Sequence, residues 1–297
     1  LAALAGTLAR KPVTIEGGGG DHLEMTAGTF RGTLPTMGED EYPDPPAVPA
    51  PIGTVAGQAF ADMVHRVAVA ASGDLTNRIA LAGLHLSFVN DTVTALATDS
   101  RRATTASVPF RPEFGPDTDC EALALAETLV DAAAAFVGPD DITVGLDGSN
   151  LALTSPTRSL TVRLLAEPYD AAGLGRFFAV EHPEHLPVRT ADLTGPLKRA
   201  ALVRAKDGPI RLDLTEGALT VVAKADDIAQ DSDETVPADY TGPEHSLAFN
   251  PAYLADALNS APGDVVDMAF DTAKFAQVVF TVPGDDNWRH VLVPIKL

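Results

Sequence analysis

The sequence predicts an α+β protein built by repetition, with pairs of helices set against one side of antiparallel sheets. Three observations lead there. A helix pattern followed by three strand patterns recurs along the chain. The strand patterns alternate apolar and polar residues, as in Ile210-Arg-Leu-Asp-Leu214, which buries one face and favours antiparallel pairing. Strands also come in runs between helices instead of alternating with them one for one, so a parallel βαβ sheet is excluded.

Taken in order, Leu1, Leu4 and Leu8 form the apolar face of a short helix. The chain opens without methionine and without the basic residues that begin a signal peptide, so it reads as a fragment entered midway through a domain. Strands follow over 12–16, 22–26 and 29–34, with a turn at 17–21. A helix over 60–69 gathers Phe60, Met63, Val64 and Val67 on one face, and strands over 79–84, 85–89 and 93–98 come next. A helix within 122–135 precedes strands over 141–146, 150–154 and 159–165. The grammar then repeats: a helix over 193–203 with strands over 210–214 and 219–225, and a helix over 252–258 with strands over 264–270, 275–281 and 290–294. Leu129 corresponds to Leu254, Asp141 to Asp264 and Ile79 to Ile210. Proline-rich sequence over 43–51 and a Gly/Pro-punctuated stretch over 168–187 read as linkers. The resulting domains are 1–46, the second half of a first module, then 51–167 and 175–297.

Composition narrows the function. The 297 residues are enough for more than one core, and 45% hydrophobic with 21% charged residues is a folded composition. No apolar run reaches the ~20 residues that span a bilayer. The single cysteine, Cys120, excludes an intrachain disulfide and a cysteine-rich zinc site, and it suits a reducing, cytoplasmic setting. Forty-one acidic residues against 21 basic give a net charge of −20, which argues against passive adhesion to nucleic acid or an anionic membrane. It leaves room for a local basic face.

No string assembles an active site. His182-Pro-Glu-His185 lacks the spacing of a zinc-protease helix and reads as solvated linker. Asp226, Asp227, Asp231 and Asp233 lack the fixed spacing and the glycine of a calcium loop. The Gly17–Gly20 run precedes a strand and has no Lys-Ser/Thr after it, so it is a hairpin turn and not a phosphate loop. Cys120 stands alone, and no Gly-x-Ser-x-Gly elbow occurs. Basic residues are more informative because they are scarce. Arg66 lies on the helix of one module, and Lys198, Arg199 and Arg204 lie on or just after the equivalent helix of the next. Positive charge at equivalent helices suggests a face for a polyanion; the alternative is ordinary solvated surface.

Three strings in register with the repeat carry a resemblance. Ala97-Thr-Asp-Ser-Arg-Arg102, Phe249-Asn-Pro-Ala-Tyr-Leu-Ala-Asp-Ala-Leu258 and Val291-Leu-Val-Pro-Ile-Lys-Leu297 are similar to A-T-D-G-H-R-L, F-N-x-x-Y-L-x-D-x-L and M-P-M-R-L-like strings of the bacterial DNA polymerase III beta subunit, the sliding clamp family. Leu34-Pro-Thr-Met and Asp40-Glu-Tyr-Pro43 match the end of that family's first domain. The resemblance covers essentially the whole chain, which would be an N-terminally incomplete member. It implies clamp domains with helices lining a concave inner face and sheets outside, two protomers closing head to tail around double-stranded DNA without sequence preference. It implies no catalytic residue, no metal and no cofactor; any exonuclease of the holoenzyme would lie in another chain. The implied partners are the polymerase III alpha subunit, the clamp loader and repair proteins, docking through short peptide motifs, and no membrane.

Carried onto this sequence, the resemblance places a peptide pocket at Leu81, Thr98, Ser100, Arg101, Arg102, Ala103, Asn250, Tyr253, Val291, Val293, Pro294 and Ile295, with Phe275, Pro168 and Leu174 contributing. Such a pocket is an apolar groove with a few orienting polar groups. The DNA-facing residues are Arg66, Lys198 and Arg199, with Arg78 a weaker fourth, and the dimer contacts are Phe30, Leu34, Leu202 and Val203. Departures bear on specificity. Ser100-Arg101-Arg102-Ala103 replaces Gly-His-Arg-Leu, enlarging or flattening one subpocket and adding charge. Val293 and Ile295 stand where the family has adaptable methionines, which points to a narrower range of partners. The helix within 122–135 lacks the basic residues the family often has there. Two rival readings stand beside the clamp: an acidic repeat-built hydrolase with an unrecognised carboxylate pair, and a protein-interaction scaffold that never meets DNA.

Overall fold

In the computed structural model the described residues are 2–8, 12–17, 21–37, 47–113, 119–206, 208–224 and 232–296. The chain divides into two compact units, 1–47 and 48–297. The first holds α1 (Ala2–Thr7) and an antiparallel sheet in the order β1 (Thr14–Gly17), β2 (His22–Ala27), β3 (Phe30–Pro35). Gly28, at φ 62°, supplies the left-handed residue that the tight β2–β3 turn requires. Met25 and Ala27 point to the buried face of this sheet.

The second unit is made of four copies of one grammar, in which a strand runs straight into a helix and further strands follow. The first copy is β4 (Pro51–Ala56), α2 (Gly57–Ala68), β5 (Gly83–Val89), β6 (Thr92–Thr98), β7 (Arg102–Pro109) and the short β8 (Arg111–Pro112). The second is β9 (Cys120–Leu125), α3 (Ala126–Ala134), β10 (Asp141–Leu146), β11 (Asn150–Ser155) and β12 (Arg158–Arg163). A connecting helix, α4 (Ala171–Phe178), leads to the third: β13 (Glu184–Arg189), α5 (Thr190–Val203), β14 (Ile210–Thr215), β15 (Ala218–Ala223) and β16 (Ser232–Pro237). The fourth is β17 (His245–Phe249), α6 (Pro251–Ser260), β18 (Val265–Phe270), β19 (Val278–Val282) and β20 (Asp285–Leu292).

Leading strands are exchanged between copies. β4 pairs with β10 and β9 with β5; β13 pairs with β18 and β17 with β14. Each helix packs on strands of its own copy, α2 over β6 and β7 and α5 over β15 and β16, while its leading strand joins another copy's sheet. Three antiparallel sheets result, in the orders β12-β11-β10-β4-β8, β16-β15-β14-β17 and β13-β18-β19-β20-β7-β6-β5-β9. The last is continuous because β7 pairs with β20, Thr104 opposite His290 and Ala103 opposite Val291. The core lies between helices and sheets. Phe60, Met63, Val64 and Val67 are buried on α2 as their spacing predicts, and Leu193, Leu197 and Ala200 are buried on α5.

Several expectations are corrected. The expected strand over 79–84 is a 3₁₀ turn, Ile79–Ala82, before β5. Leu81 N–H donates to the Arg78 carbonyl, which closes the turn within an apolar run that has no clean alternation to prevent it. The helix expected within 122–135 begins only at Ala126, because Ala122, Leu123 and Ala124 are buried in β9. The stretch over 168–187 is not linker throughout; it contains α4 and most of β13. His182 is buried, and His185 Nδ1 lies 2.6 Å from Asp267 Oδ2 across the β13–β18 pair, so that string is packed structure and not a solvated connector. Phe275 precedes β19 instead of lying within it. Residues 18–20 of the glycine run, the 40–43 string, residues 43–46 of the proline-rich segment and aspartates 226, 227 and 231 lie outside the described residues.

His290 sits at the β7–β20 seam, wholly buried, with Nδ1 2.7 Å from Thr104 Oγ1. Burial, and secondarily the nearby Arg102 guanidinium, holds its pKa down to about 3 from 6.5. The unfolded chain therefore binds a proton there that the folded chain refuses: stability is complete above pH 6.5 and drains away as pH falls toward about 3. Urea unfolding midpoints measured across that window are expected to fall less steeply in His290→Gln than in the parent chain.

Candidate functional site

The seam between β7 and β20 sets the floor of a cleft of about 1520 Å³. Side chains alternate along a strand, so Ala103 and Val291 face away from Thr104 and His290 and toward this second surface of the sheet. With Leu96, Ala269, Val279 and Phe178 they form a separate buried apolar cluster. Phe178 comes from α4, whose start is fixed by Asp170: its Oδ1 accepts the Gly173 N–H at 2.8 Å. Tyr169 and Leu174 cover the cluster only in part. The rim keeps large apolar side chains in water, Leu75 at 54% exposure, Phe177 at 50%, Phe275 at 61% and Val293 at 44%. A buried apolar floor with an exposed apolar rim is the signature of a surface that receives another molecule.

One end of the cleft is the turn joining β6 to β7. Thr98 Oγ1 donates to the Arg102 carbonyl at 2.6 Å and accepts the Ser100 N–H at 3.1 Å. Asp99 Oδ1 accepts the Arg101 and Arg102 N–H groups, at 2.9 and 3.0 Å. Ser100 is held at φ 76°, a left-handed conformation uncommon outside glycine, where the family pattern has glycine. Arg102 is buried as a strut. Its Nε donates to Asp99 at 3.0 Å, its Nη1 to Asp256 on α6 at 2.6 Å, and its guanidinium lies 4.1 Å from the centre of the Tyr253 ring. Burial, followed by the charge of Asp99, raises the Tyr253 phenol pKa above its ordinary value.

Leu81, Thr98, Ser100, Arg101, Arg102, Ala103, Pro168, Leu174, Phe275, Val291 and Val293 all line the cleft. Asn250, Tyr253, Pro294 and Ile295 do not. Asn250 is committed to capping α6, its Oδ1 accepting the Ala252 and Tyr253 N–H groups at 2.9 and 3.5 Å. Tyr253 touches the site through Arg102. Pro294 and Ile295 line a smaller groove of about 180 Å³ with Phe270 and Lys274, because the chain after β20 turns to β17, Ile295 N–H donating to the Ala248 carbonyl. Arg78, expected toward DNA, lies at the cleft instead: the 3₁₀ turn that follows it brings Nη1 to 3.3 Å from Ser100 Oγ. Sequence reasoning missed Leu75, Tyr169, Phe177 and Val180, which line the same cleft. Tyr169 stacks on His85 with centroids 5.3 Å apart, and burial raises its phenol pKa above the ordinary range.

The remaining expected residues lie elsewhere. Arg66 is half-buried in the last turn of α2. Lys198 is exposed on α5 beside Thr194 and Asn259, whereas Arg199 gives two hydrogen bonds to Glu234, at 2.8 and 2.6 Å. Phe30 and Leu34 are half-buried on one face of β3. Leu202 is 87% exposed near the end of α5, with Val203 half-buried beside it. Among the described residues no group of three His, Cys, Asp or Glu side chains could hold a metal, and no helix is long and apolar enough to cross a membrane.

Comparison with known proteins follows the same lines. Residues 176–296 match the family described as DNA polymerase III beta subunit, C-terminal domain. The whole chain is 32% identical over 307 aligned residues to the beta sliding clamp of Streptomyces coelicolor, of which it spans 80%. The chain belongs to the beta sliding clamp family. A sliding clamp homolog of Streptomyces muensis, GriR, is 29% identical over 86% of this chain and 69% of its own. The solved sliding clamp of Pseudomonas aeruginosa bound to griselimycin superposes with a TM-score of 0.87 at 19% identity, over 100% of this chain and 80% of that one. The α+β clamp fold with antiparallel sheets is therefore this chain's fold.

Within the clamp fold, Arg102 fastens the β6–β7 turn to α6. Arg102→Leu leaves Asp99, which is almost buried, with only its backbone N–H donors, and leaves Asp256 half-solvated. It is expected to lower unfolding stability by about 2–3 kcal/mol in urea titrations. Arg102→Lys, whose single ammonium cannot span both carboxylates, is expected to recover only part of that loss.

Proposed function

We propose that this chain is a processivity clamp: two copies close head to tail around duplex DNA, and the cleft at the β7–β20 seam holds short apolar segments of the polymerase alpha subunit, the clamp loader and repair proteins. The observation that carries this is the cleft itself, an apolar floor left open beneath exposed Leu75, Phe177, Phe275 and Val293. An extended peptide with one or two large apolar side chains removes all of these from water at once. The chain itself performs no chemistry in this reading and works in the cytoplasm. Its modules are 1–46, 51–167 and 175–297, and retention on DNA comes from closure and not from reading bases.

Several features support the DNA side of the proposal. Arg66 and Lys198 stand on equivalent helices, α2 and α5, of an otherwise acidic molecule. A few mobile cations over phosphates give salt-sensitive contacts without register, which is what sliding requires. Arg199 contributes less because Glu234 already pairs with it. Leu202, 87% exposed, is a natural contact for the second copy together with Val203, Phe30 and Leu34.

The DNA reading is checked by loading the protein on nicked circular duplex with a clamp loader. It is expected to stay bound through gel filtration and to be lost once the circle is linearised; equal retention on both forms would count against encirclement. Lys198→Glu is expected to weaken loading and to reduce the slope of log affinity against log salt by about 1. For the cleft, Val291→Asp puts a carboxylate into the buried floor and is expected to weaken binding of a fluorescein-labelled apolar peptide by more than about tenfold in fluorescence polarisation. Unchanged affinity would remove the peptide assignment.

A further inference from the structure

We propose that Asp256, which does not line the cleft, is a positioning residue for it: through Arg102 it holds the β6–β7 turn, and with that turn Ser100 in its left-handed conformation. What the cleft does rests on the peptide-docking reading above; the proposal adds which distant side chain shapes its wall.

Two described residues other than glycine have a positive φ, Asn90 at 54° and Ser100 at 76°. Asparagine visits that region readily, because its short amide bonds to nearby backbone. Serine sits there only when its surroundings overrule the preference. The Ser100 hydroxyl accepts a hydrogen bond from Arg78 Nη1 at 3.3 Å, which does not close the turn. The neighbours of Ser100 close it. Thr98 Oγ1 accepts the Ser100 N–H, Asp99 Oδ1 accepts the next two N–H groups, and the Asp99 N–H donates to the Arg102 carbonyl at 3.3 Å. The left-handed serine therefore persists only while Asp99 and Arg102 keep their places.

Those places are set from outside the turn. The second oxygen of Asp99 accepts Arg102 Nε at 3.0 Å, and both side chains are nearly buried. The far end of the guanidinium donates to Asp256 Oδ2 at 2.6 Å, across 154 residues of chain, and lies 4.1 Å from the centre of the Tyr253 ring. Asp256 and Tyr253 both belong to α6, and no residue of α6 lines the cleft. The second tie is backbone: the Val293 N–H donates to the Arg101 carbonyl at 2.9 Å. The turn of one copy is thus held by two elements of another. Without Asp256, Arg102 keeps Asp99, but its outer end is free to rotate about the side-chain bonds and carries Asp99 with it. Ser100 then relaxes toward negative φ. Asp256 can be removed without opening a cavity, because its side chain is 41% exposed, and alanine suits an exposed helical position.

The test compares the parent chain with Asp256→Ala, each with and without Ser100→Gly. Amide hydrogen exchange over the turn, residues 98–103, is expected to quicken about five- to tenfold in Asp256→Ala, while β18 and β19 keep their protection. Affinity for the fluorescein-labelled apolar peptide is expected to fall about three- to tenfold. Asp256→Asn, which keeps an acceptor oxygen without the charge, is expected to lose less. In the Ser100→Gly background the left-handed turn needs no support, so Asp256→Ala is expected to change affinity by less than about twofold. Unchanged exchange at the turn in Asp256→Ala overturns the positioning role. So does an equal loss of affinity with and without Ser100→Gly, or a loss of protection that extends to β18 and β19. If the parent chain does not bind the peptide, the docking reading falls, and exchange at the turn decides the positioning role by itself.

Discussion

The β7–β20 ladder is the interaction on which the rest of the structure depends. Each strand would otherwise be a sheet edge with a row of unpaired backbone groups, and joining them makes one sheet of eight strands out of two of four. Because side chains alternate, the same ladder serves two surfaces. Thr104 and His290 face one side and are hydrogen-bonded to each other in full burial through Nδ1, with His290 Nε2 left without a partner. Ala103 and Val291 face the other and are small or short enough to leave a trough. The cleft is thus a consequence of joining two modules edge to edge, not an addition to either. Neither half of the floor exists without the other.

Holding that seam requires electrostatic arrangements that limit each other. Arg102 brings a full charge near a buried imidazole, which adds to the desolvation keeping His290 neutral. The charge itself is tolerated because it is satisfied on every side, by Asp99, by Asp256 and by the Tyr253 ring. Removing one partner from such a set costs more than the set contributes as a whole, since Arg102 and Asp99 are both nearly buried and only Asp256 reaches water. The strut also explains why Tyr253 matters at the cleft without lining it. It positions Arg102, and through Arg102 the turn that carries Ser100 and Arg101.

Much of this was legible in the sequence where a periodic pattern had one interpretation. The α2 face, the β14 alternation and the recurrence of helix then strands all came through, because burial on one side imposes a period that composition cannot disguise. The strands that lead into each helix did not. β9 and β13 merge into apolar or Pro-containing runs whose strand character is settled by pairing with a distant partner, β5 or β18. Ile79–Ala82 shows the converse, a run with strand-like composition that a local hydrogen bond, Leu81 N–H to the Arg78 carbonyl, closes into a 3₁₀ turn. At the site, the strings in β6–β7 and β20 led to floor residues. The rim residues Leu75, Phe177 and Val180 had no string to announce them; their apolar character becomes informative only once their exposure is known. Arg78 and Asn250 make contacts that no string announced, for a shared reason: a polar side chain has several possible uses, and a local turn or a helix cap decides which one it takes.

α4 shows how little separates an open cleft from a closed core. It has eight residues and buries only Phe178 fully, leaving Phe177 in water and Leu174 half-covered. One more turn with a second apolar residue over Val291 would complete the cluster, and the gain from burying it would compete with any incoming segment. A helix this short is marginal by itself and stays in place through its Asp170 cap and the Phe178 anchor. The result is a floor of nearly buried side chains and a rim too short to shield itself. That combination lets a transient partner gain from burial without first having to displace part of the protein.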